Sequence, residues 1–483
     1  MNGTIKSFIN PPFKNLEDIK NLKVTVMGLG LNGGGVASAA FFAANGAKVT
    51  VTDMKTEAEL ASSMEKLRDY NIRYVLGKHE VCDFENADLV IKNPGIKIDN
   101  NIYLEKAKSI ETDISVFLRL SEAKVIAVTG SKGKSSTVSC IYWGLKEAGK
   151  KVFLGGNITV SPLTFLSETT KDSIVVLELS SWQLADLKGR GILKPETALI
   201  TPVMPDHQNW YGSMEAYVED KKLIYKDMGE NSVLICNYDD GWGKIFAEEA
   251  GKLHCRVKWY TGKKPSSPEK FEGVWLNKKG EGFINIQGKK IKILPKKVLV
   301  PGKHQKQNLL NSALVMYFQG VPLNKIPEIL KRFPGIEHRL EFFFEKKGVK
   351  FYNDSAATIP EASAAALEAF SKPPVLLAGG TDKNLDFTPL AKNAKKAKHI
   401  FLLEGSGTEK LIKMLKKRKI KFHGPYSNLD SMIMDCYKKA KKGDIVVFSP
   451  GATSFGMFKN EFHRGNEFKS RVRALLDGHT EQD

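Results

Sequence analysis

The residues best equipped for chemistry are the run TGSKGKSS at 129–136. It follows the apolar residues 125–128 and precedes residues 137–145, whose apolar spacing predicts an amphipathic helix. A short buried strand that feeds a Gly/Lys/Ser turn into a helix N-terminus is a phosphate cradle. Backbone N–H groups from Gly130 through Ser131 and Lys132 to Gly133 are expected to point at the anion, and the helix dipole favours negative charge there. Lys134 is placed to reach the β- and γ-phosphates, and the Ser135 hydroxyl to ligate Mg²⁺, with Ser136 behind it in the first turn. The common form of this loop carries glycine where Val128 stands, so the loop is a variant.

Two other strand ends point to the same chemistry. The apolar run 173–177 stops at Glu178, a carboxylate placed to hold Mg²⁺ directly or through water. Residues 197–201 open into PVMPDHQNWYGS, which brings Asp206 and His207 to the same edge. Lys221 and Lys222 fall on a predicted helix over 214–225, where spacing alone makes them solvent-facing. Nearer the start, Gly28, Gly30 and Gly33 satisfy GxGxxG between two strands, with Asp53 at the end of the second. On its own this pattern points to NAD, the acid bonding a ribose hydroxyl; a tight turn without a ligand is the competing reading.

Strand, glycine-rich turn and helix alternate along most of the 483 residues. The fold class is therefore α/β with three domains: an N-terminal Rossmann-like nucleotide-binding domain over 1–112, a central P-loop ATPase-type domain over 113–335, and a C-terminal Rossmann-like domain over 336–483. Short alternating runs within 252–300 predict a small antiparallel sheet attached to the central domain. With 42% hydrophobic and 26% charged residues, the composition excludes a disordered chain. No apolar stretch reaches spanning length, and residues 1–16 contain no leader-like core, so a cytoplasmic protein without membrane insertion is expected. Five scattered cysteines without a CxxC pair read as reduced thiols, neither a disulfide framework nor a zinc site. The net charge of +19 is concentrated late, in KNAKKAKH, KLIKMLKKRKIKF and YKKAKK. Those runs have helical spacing and no interleaved aromatics, so they read as solvated helix faces and no nucleic-acid partner is expected.

In order, GLGLNG, NPGI, VTGSKGKSS, GGNI, LELSSWQL, DHQNWYGS, EHRLE, NDSAAT, GGTDK and SPGATSFGMFKNEFHRGNEF resemble the Mur ligases over almost the whole chain. The resemblance implies a cytoplasmic, monomeric, ATP-dependent acid–amino-acid ligase of peptidoglycan precursor synthesis. Its substrates would be UDP-N-acetylmuramoyl-L-alanine and glutamate, joined through an acyl-phosphate. It reassigns the first glycine turn from NAD to the UDP substrate, with Asn32, Asp53 and Asn93 as contacts. Asn157, Ser180 and Gln183 match positions facing the muramoyl part. Two Mg²⁺ are implied, held by Ser135, Glu178, His207 and a carbamylated lysine at Lys221 or, one register away, Lys222. Asn308, Arg339 and Asp354 match nucleotide contacts, and Thr358, Lys383 and Ser454 match positions for the incoming glutamate. Catalysis would rest on Lys134, His207 and Lys221, with His207 or water taking the amine proton. Three positions depart from the pattern: Ala356 stands where the family has lysine, Glu461 where phenylalanine is usual, and HNxxN becomes His304 to Asn308. The first two bear on whether the acceptor is D-glutamate, L-glutamate or another amino acid.

Overall fold

The computed structural model describes residues 11–454 and 456–477. Residues 1–10, part of the stretch scanned above for a leader, and Phe455 within SPGATSFGMF lie outside the described residues. The chain divides into two compact units. The first runs to Ile293 and includes Asn308–Ile326; the second comprises Leu294–Gln307 and the chain from Pro327 onward.

The first unit contains two sheets. Strands β1 (Lys23–Met27), β2 (Lys48–Asp53), β3 (Ile72–Leu76), β4 (Leu89–Lys92) and β5 (Ile110–Glu111) form a parallel sheet in the order β3-β2-β1-β4-β5. The larger sheet uses β6 (Lys124–Thr129), β7 (Val152–Gly156), β8 (Ile174–Glu178), β9 (Thr197–Ile200), β10 (Val233–Asn237), β11 (Arg256–Thr261), β12 (Gly273–Leu276), β13 (Gly282–Ile286) and β14 (Lys289–Leu294). Its order is β14-β13-β12-β11-β10-β9-β6-β8-β7. The segment expected to add antiparallel strands to the central domain extends this sheet: β11 and β12 continue it in parallel, and antiparallel pairing begins at β13. β6, β8 and β9 are buried along almost their whole length, which is why they appear in the sequence as apolar runs rather than alternating patterns.

The strand order turns back at β6, with β8 on one side and β9 on the other. Val128 pairs with Glu178 and Thr129 with Ile200, so three strand tips lie in register at one edge. That edge is the topological switch point where open α/β sheets bind ligands. Two buried ion pairs tie the smaller sheet to the larger within this unit: Lys92 to Asp186 at 2.8 Å and Arg190 to Glu111 at 2.6 Å.

The second unit holds a sheet of β15 (Glu341–Lys346), β16 (Val349–Asn353), β17 (Val375–Ala378), β18 (His399–Leu403), β19 (His423–Tyr426) and β20 (Ile445–Phe448). Its order is β15-β16-β20-β17-β18-β19, parallel except for the β15–β16 hairpin. Among the described residues no helix is long and apolar enough to cross a membrane.

Candidate active site

The phosphate loop leaves β6 and enters the helix Lys134–Glu147 through Gly133, whose φ of +91° lies in the left-handed region. A β-carbon there would sit 2.7 Å from Asn308 Oδ1, so glycine is required by backbone and neighbour alike. The helix carrying Asn308, Lys303–Phe318, thus begins before the 309–318 stretch whose composition announces it. One part of the expected cradle is differently employed. The Ser131 N–H donates to the Pro202 carbonyl and its hydroxyl to Met204, so Ser131 fastens the loop to the β9 tip instead of facing an anion. Lys132 is exposed and pairs with Asp206 at 3.5 Å.

Lys134 folds back over the loop, donating to the carbonyls of Gly130 (3.0 Å) and Ser131 (3.2 Å). Lys221 donates to the same Gly130 carbonyl at 3.0 Å. Helical spacing made Lys221 solvent-facing; it is in fact 1% exposed, over the face of Tyr217 at 4.3 Å. Burial, and then the Lys134 charge, bring its pKa from 10.5 to about 7. Lys222 is different: it bonds Glu219 at 2.6 Å and Glu249 at 2.7 Å, and those partners raise its pKa against the opposing effect of burial. Of the two, Lys221 adjoins the loop as an amine that loses its proton near neutrality.

Glu178, at the tip of β8, is 1% exposed. Its Oε1 accepts from Asn157 Nδ2 at 2.9 Å, while Oε2 is buried with no hydrogen-bond partner. A carboxylate oxygen held dry without a donor is costly unless a cation completes it. With the Ser135 hydroxyl in the first turn of the neighbouring helix, this oxygen-rich donor set fits Mg²⁺. His207 has a φ of +51° and opens a short helix, its ring exposed and packed on Trp182 at 4.8 Å between centroids. Ser180 and Gln183, expected to face a substrate, form the capping box of the helix Ser181–Ala185, the Gln183 N–H donating to Ser180 Oγ and the Ser180 N–H to Gln183 Oε1. Asn157 is exposed apart from its bond to Glu178.

In the glycine turn, Asp53 does not present a free carboxylate. Its oxygens accept from the Gly30 N–H at 3.0 Å and the Lys55 N–H at 2.9 Å, fixing the turn from below. Asn32 is exposed at the turn and Asn93 is half-buried beside Gly28 and Gly30. A cleft of about 780 Å³ runs between the loop after β4 and the helices following β8 and β9. Lys97, Trp182, Trp210, Tyr211 and the Lys92–Asp186 pair line it. Trp182 and Trp210 are 4.8 Å apart, Lys97 lies over the Trp210 ring at 4.2 Å, and the Trp182 Nε1 is buried without a hydrogen-bond partner among the described residues. Sequence reasoning missed this wall; the signal available was the aromatic cluster within SSWQL and QNWYG, whose members only the fold brings together.

In the second unit, Asp354 is buried at the β16 tip, accepting from Ser449 Oγ at 2.6 Å and the Leu340 N–H at 3.1 Å. Burial pushes its pKa up to about 7. Arg339 and Lys383 are exposed, Thr358 is half-buried, and Ser454 lines a cavity of about 270 Å³ walled by the loops after β17, β18 and β20. The lining of that cavity includes Arg464, buried and, among the described residues, bonded through its guanidinium to neutral acceptors of Ser355 and Ala452. Desolvation lowers its pKa to about 10. Ala356 leaves no cation where the resemblance led one to expect a lysine.

Residues 22–116 match the Mur ligase MurD-like N-terminal domain, 128–316 the Mur ligase middle domain and 338–451 the Mur ligase glutamate ligase domain. The UDP-N-acetylmuramoylalanine–D-glutamate ligase of Treponema pallidum (strain Nichols) is 43% identical, over 94% of this chain and 98% of that one. The chain belongs to the Mur ligase family. The enzyme of the same name from Borreliella burgdorferi (strain ZS7) is 41% identical to this Mur ligase, over 95% and 99% of the two chains. Among solved structures, the UDP-N-acetylmuramate–alanine ligase of Thermotoga maritima has a TM-score of 0.55 at 19% identity, covering 94% of this chain and all of that one, a likeness of fold. In this Mur ligase the first glycine turn therefore belongs to a MurD-like N-terminal domain, and the NAD reading of GxGxxG is set aside.

Proposed function

We propose that this Mur ligase joins D-glutamate to UDP-N-acetylmuramoyl-L-alanine in the cytoplasm at the expense of ATP. The names of the similar full-length enzymes support the substrates. The observation that carries the chemistry is the orphaned Glu178 Oε2 at a strand tip in register with the phosphate loop, with Lys134 and Lys221 meeting at Gly130. The proposed division of labour gives the UDP part of the donor to residues 1–112, ATP to 113–335, and the acceptor to 336–483. The aromatic cleft takes the sugar and its lactoyl-alanine arm.

The γ-phosphoryl group passes to the donor's terminal carboxylate, and the glutamate amine then attacks the acyl-phosphate, releasing phosphate. Lys134 exchanges two neutral carbonyl partners for charged phosphate oxygens as the anion enters the loop, a gain realised where charge develops. Glu178, Ser135 and His207 are the residues that would hold Mg²⁺, which supplies further neutralisation of the migrating phosphoryl group. Lys221, neutral near pH 7, adds its nitrogen to CO₂ and releases a proton, giving a carbamate anion beside the loop as a further metal ligand. The attacking amine must also shed a proton, to His207 or to water.

The test is product mass and phosphate release with ATP, Mg²⁺, the UDP substrate and D-glutamate or L-glutamate. Product with D-glutamate is expected. A second reading, an L-glutamate acceptor, is favoured by Ala356 and Glu461 and is adopted if only L-glutamate reacts. Absence of product with either acid defeats the proposal.

A further inference from the structure

The basic runs near the end of the chain do not lie where solvated helix faces alone would put them. In the second unit, the turns that lead into β16, β17, β18, β19 and β20 all sit at the amino end of the parallel strands. Residues 346–350, 372–375, 392–398, 416–422 and 438–444 make up those turns, and they contain seventeen Lys or Arg against one acid, Asp444. The loops at the opposite, carboxyl end, over 354–360, 379–388, 404–408 and 449–461, contain five acids and two lysines. One edge of the sheet is thus almost purely cationic, and the other, which holds the acceptor candidates, is mildly acidic.

The basic turns are close neighbours. The Gly443 N–H bonds the Gly348 carbonyl at 2.8 Å and the Lys398 N–H the Pro374 carbonyl at 2.8 Å. Lys350 pairs in register with Ile445, and Val375 with both Val446 and His399. Across six strands the charged edge extends about 24 Å. Cations at helix C-termini are ordinary, because they offset the dipole, and that accounts for one or two residues per helix. It does not account for Lys416, Lys417, Arg418, Lys419 and Lys421 together, which run from the last turn of the helix Ser406–Lys417 into the loop beyond it. Five of the seventeen have a carboxylate within 4 Å: Lys346, Lys350, Lys396, Lys398 and Lys438. The others have no carboxylate within 4 Å among the described residues, and burial, then Lys439, lowers the pKa of the nearby His423.

We infer that this edge is a docking surface for an anionic lipid bilayer. Sixteen of the seventeen cations are lysine, a compact point charge suited to diffuse headgroup charge, whereas nucleic-acid readers favour forked arginine and exposed stacking aromatics. Phe422 in these turns and Phe370 just before one of them are half-buried, and the exposed large hydrophobic residues among those described in this unit, Ile359, Met457 and Phe462, lie at the other edge. Adsorption is therefore electrostatic, reversible and salt-sensitive, with the acceptor edge of the sheet directed away from the lipid.

The experiment is flotation of the full chain with vesicles of 30% phosphatidylglycerol in phosphatidylcholine, and with pure phosphatidylcholine, at 50 and 300 mM NaCl. The intact protein is expected to float with anionic vesicles at low salt only. A variant with Lys416, Lys417, Lys419 and Lys421 changed to Gln should bind more than about tenfold more weakly, since each lysine near the surface contributes roughly fivefold. Its phosphate release in solution should match that of the parent. A matched variant with Lys264, Lys278, Lys279 and Lys289 changed to Gln loses the same charge from the first unit and should float normally. No flotation, equal loss in both variants, or equally strong lysine-dependent capture of a duplex DNA at the same salt would overturn the assignment.

Discussion

Lys221 gives the sharpest handle on the mechanism. At pH 7.5 an ordinary lysine is neutral in roughly one molecule in a thousand, whereas at a pKa of about 7 the fraction is about three in four. Burial and then the Lys134 charge therefore raise the reactive amine by several hundredfold, and CO₂ capture depends on that amine. Lys222, salt-bridged to Glu219 and Glu249, gains nothing comparable. Lys221→Ala should lower kcat by about 10²–10³, the usual loss when one stabilising group is removed from a preorganised site. Lys222→Ala should stay within about threefold. In CO₂-depleted buffer the parent should lose activity and regain it on adding bicarbonate, and intact-mass spectra should show one CO₂ that Lys221→Ala lacks. A fold-stability measurement checks the electrostatics separately. The folded pKa lies below the unfolded one, so between pH 7 and 10.5 the unfolded state binds more protons and stability of the unmodified protein rises with pH. Below pH 7 the full cost, about 5 kcal/mol, is present, and Lys221→Met should raise Tm at pH 6.5. If Lys221→Ala keeps more than a tenth of kcat while Lys222→Ala is inactive, the reasoning is refuted.

Glu178→Gln keeps a partner for Asn157 but removes the orphaned anion, so kcat should fall at least about 10²-fold and the Mg²⁺ requirement rise. Tm should not fall, and a large drop would show that Glu178 is structural. Gly133→Ala places a methyl group against Asn308 in a left-handed turn, and ATP affinity by calorimetry should fall below detection while circular dichroism stays native. Asp354, with its folded pKa raised from 3.8 to about 7, keeps its proton in the folded state where the unfolded chain has lost it. Its contribution therefore declines as pH rises from about 4 to 7, by up to about 4 kcal/mol, and urea midpoints of Asp354→Asn should be flatter across that window. Trp210→Ala, which opens the aromatic cleft, should raise KM for the UDP substrate about tenfold and leave KM for ATP unchanged; equal changes in both would remove the cleft from donor binding.

What the sequence makes legible and what it hides follow from the range of each interaction. The phosphate loop, Glu178 and the β9 tip could be read because strands buried on both faces are apolar runs, and because the turn after each is punctuated by glycine, serine or proline. Their convergence also follows from local pattern, since parallel strands joined by helices put every such turn at one edge. Residues whose role depends on a partner far along the chain could not be read in this way. Lys221 and Lys222 are adjacent and chemically identical, yet burial beside Lys134 makes one a near-neutral amine while Glu219 and Glu249 hold the other in an ion pair. Ser131 sits in a loop whose amides should all serve an anion, yet Pro202 takes its N–H. Asp53 occupies the position of a ribose acceptor but has both oxygens committed to backbone amides of its own turn. The same physics governs each of these: a polar group in a dense interior goes to whichever partner the tertiary fold brings close, and spacing along the chain carries no record of it. Where a group has no such partner, as at Glu178 Oε2, that vacancy is the feature through which structure adds to sequence. It gives a physical reason for the cation reading proposed for this strand-end acid.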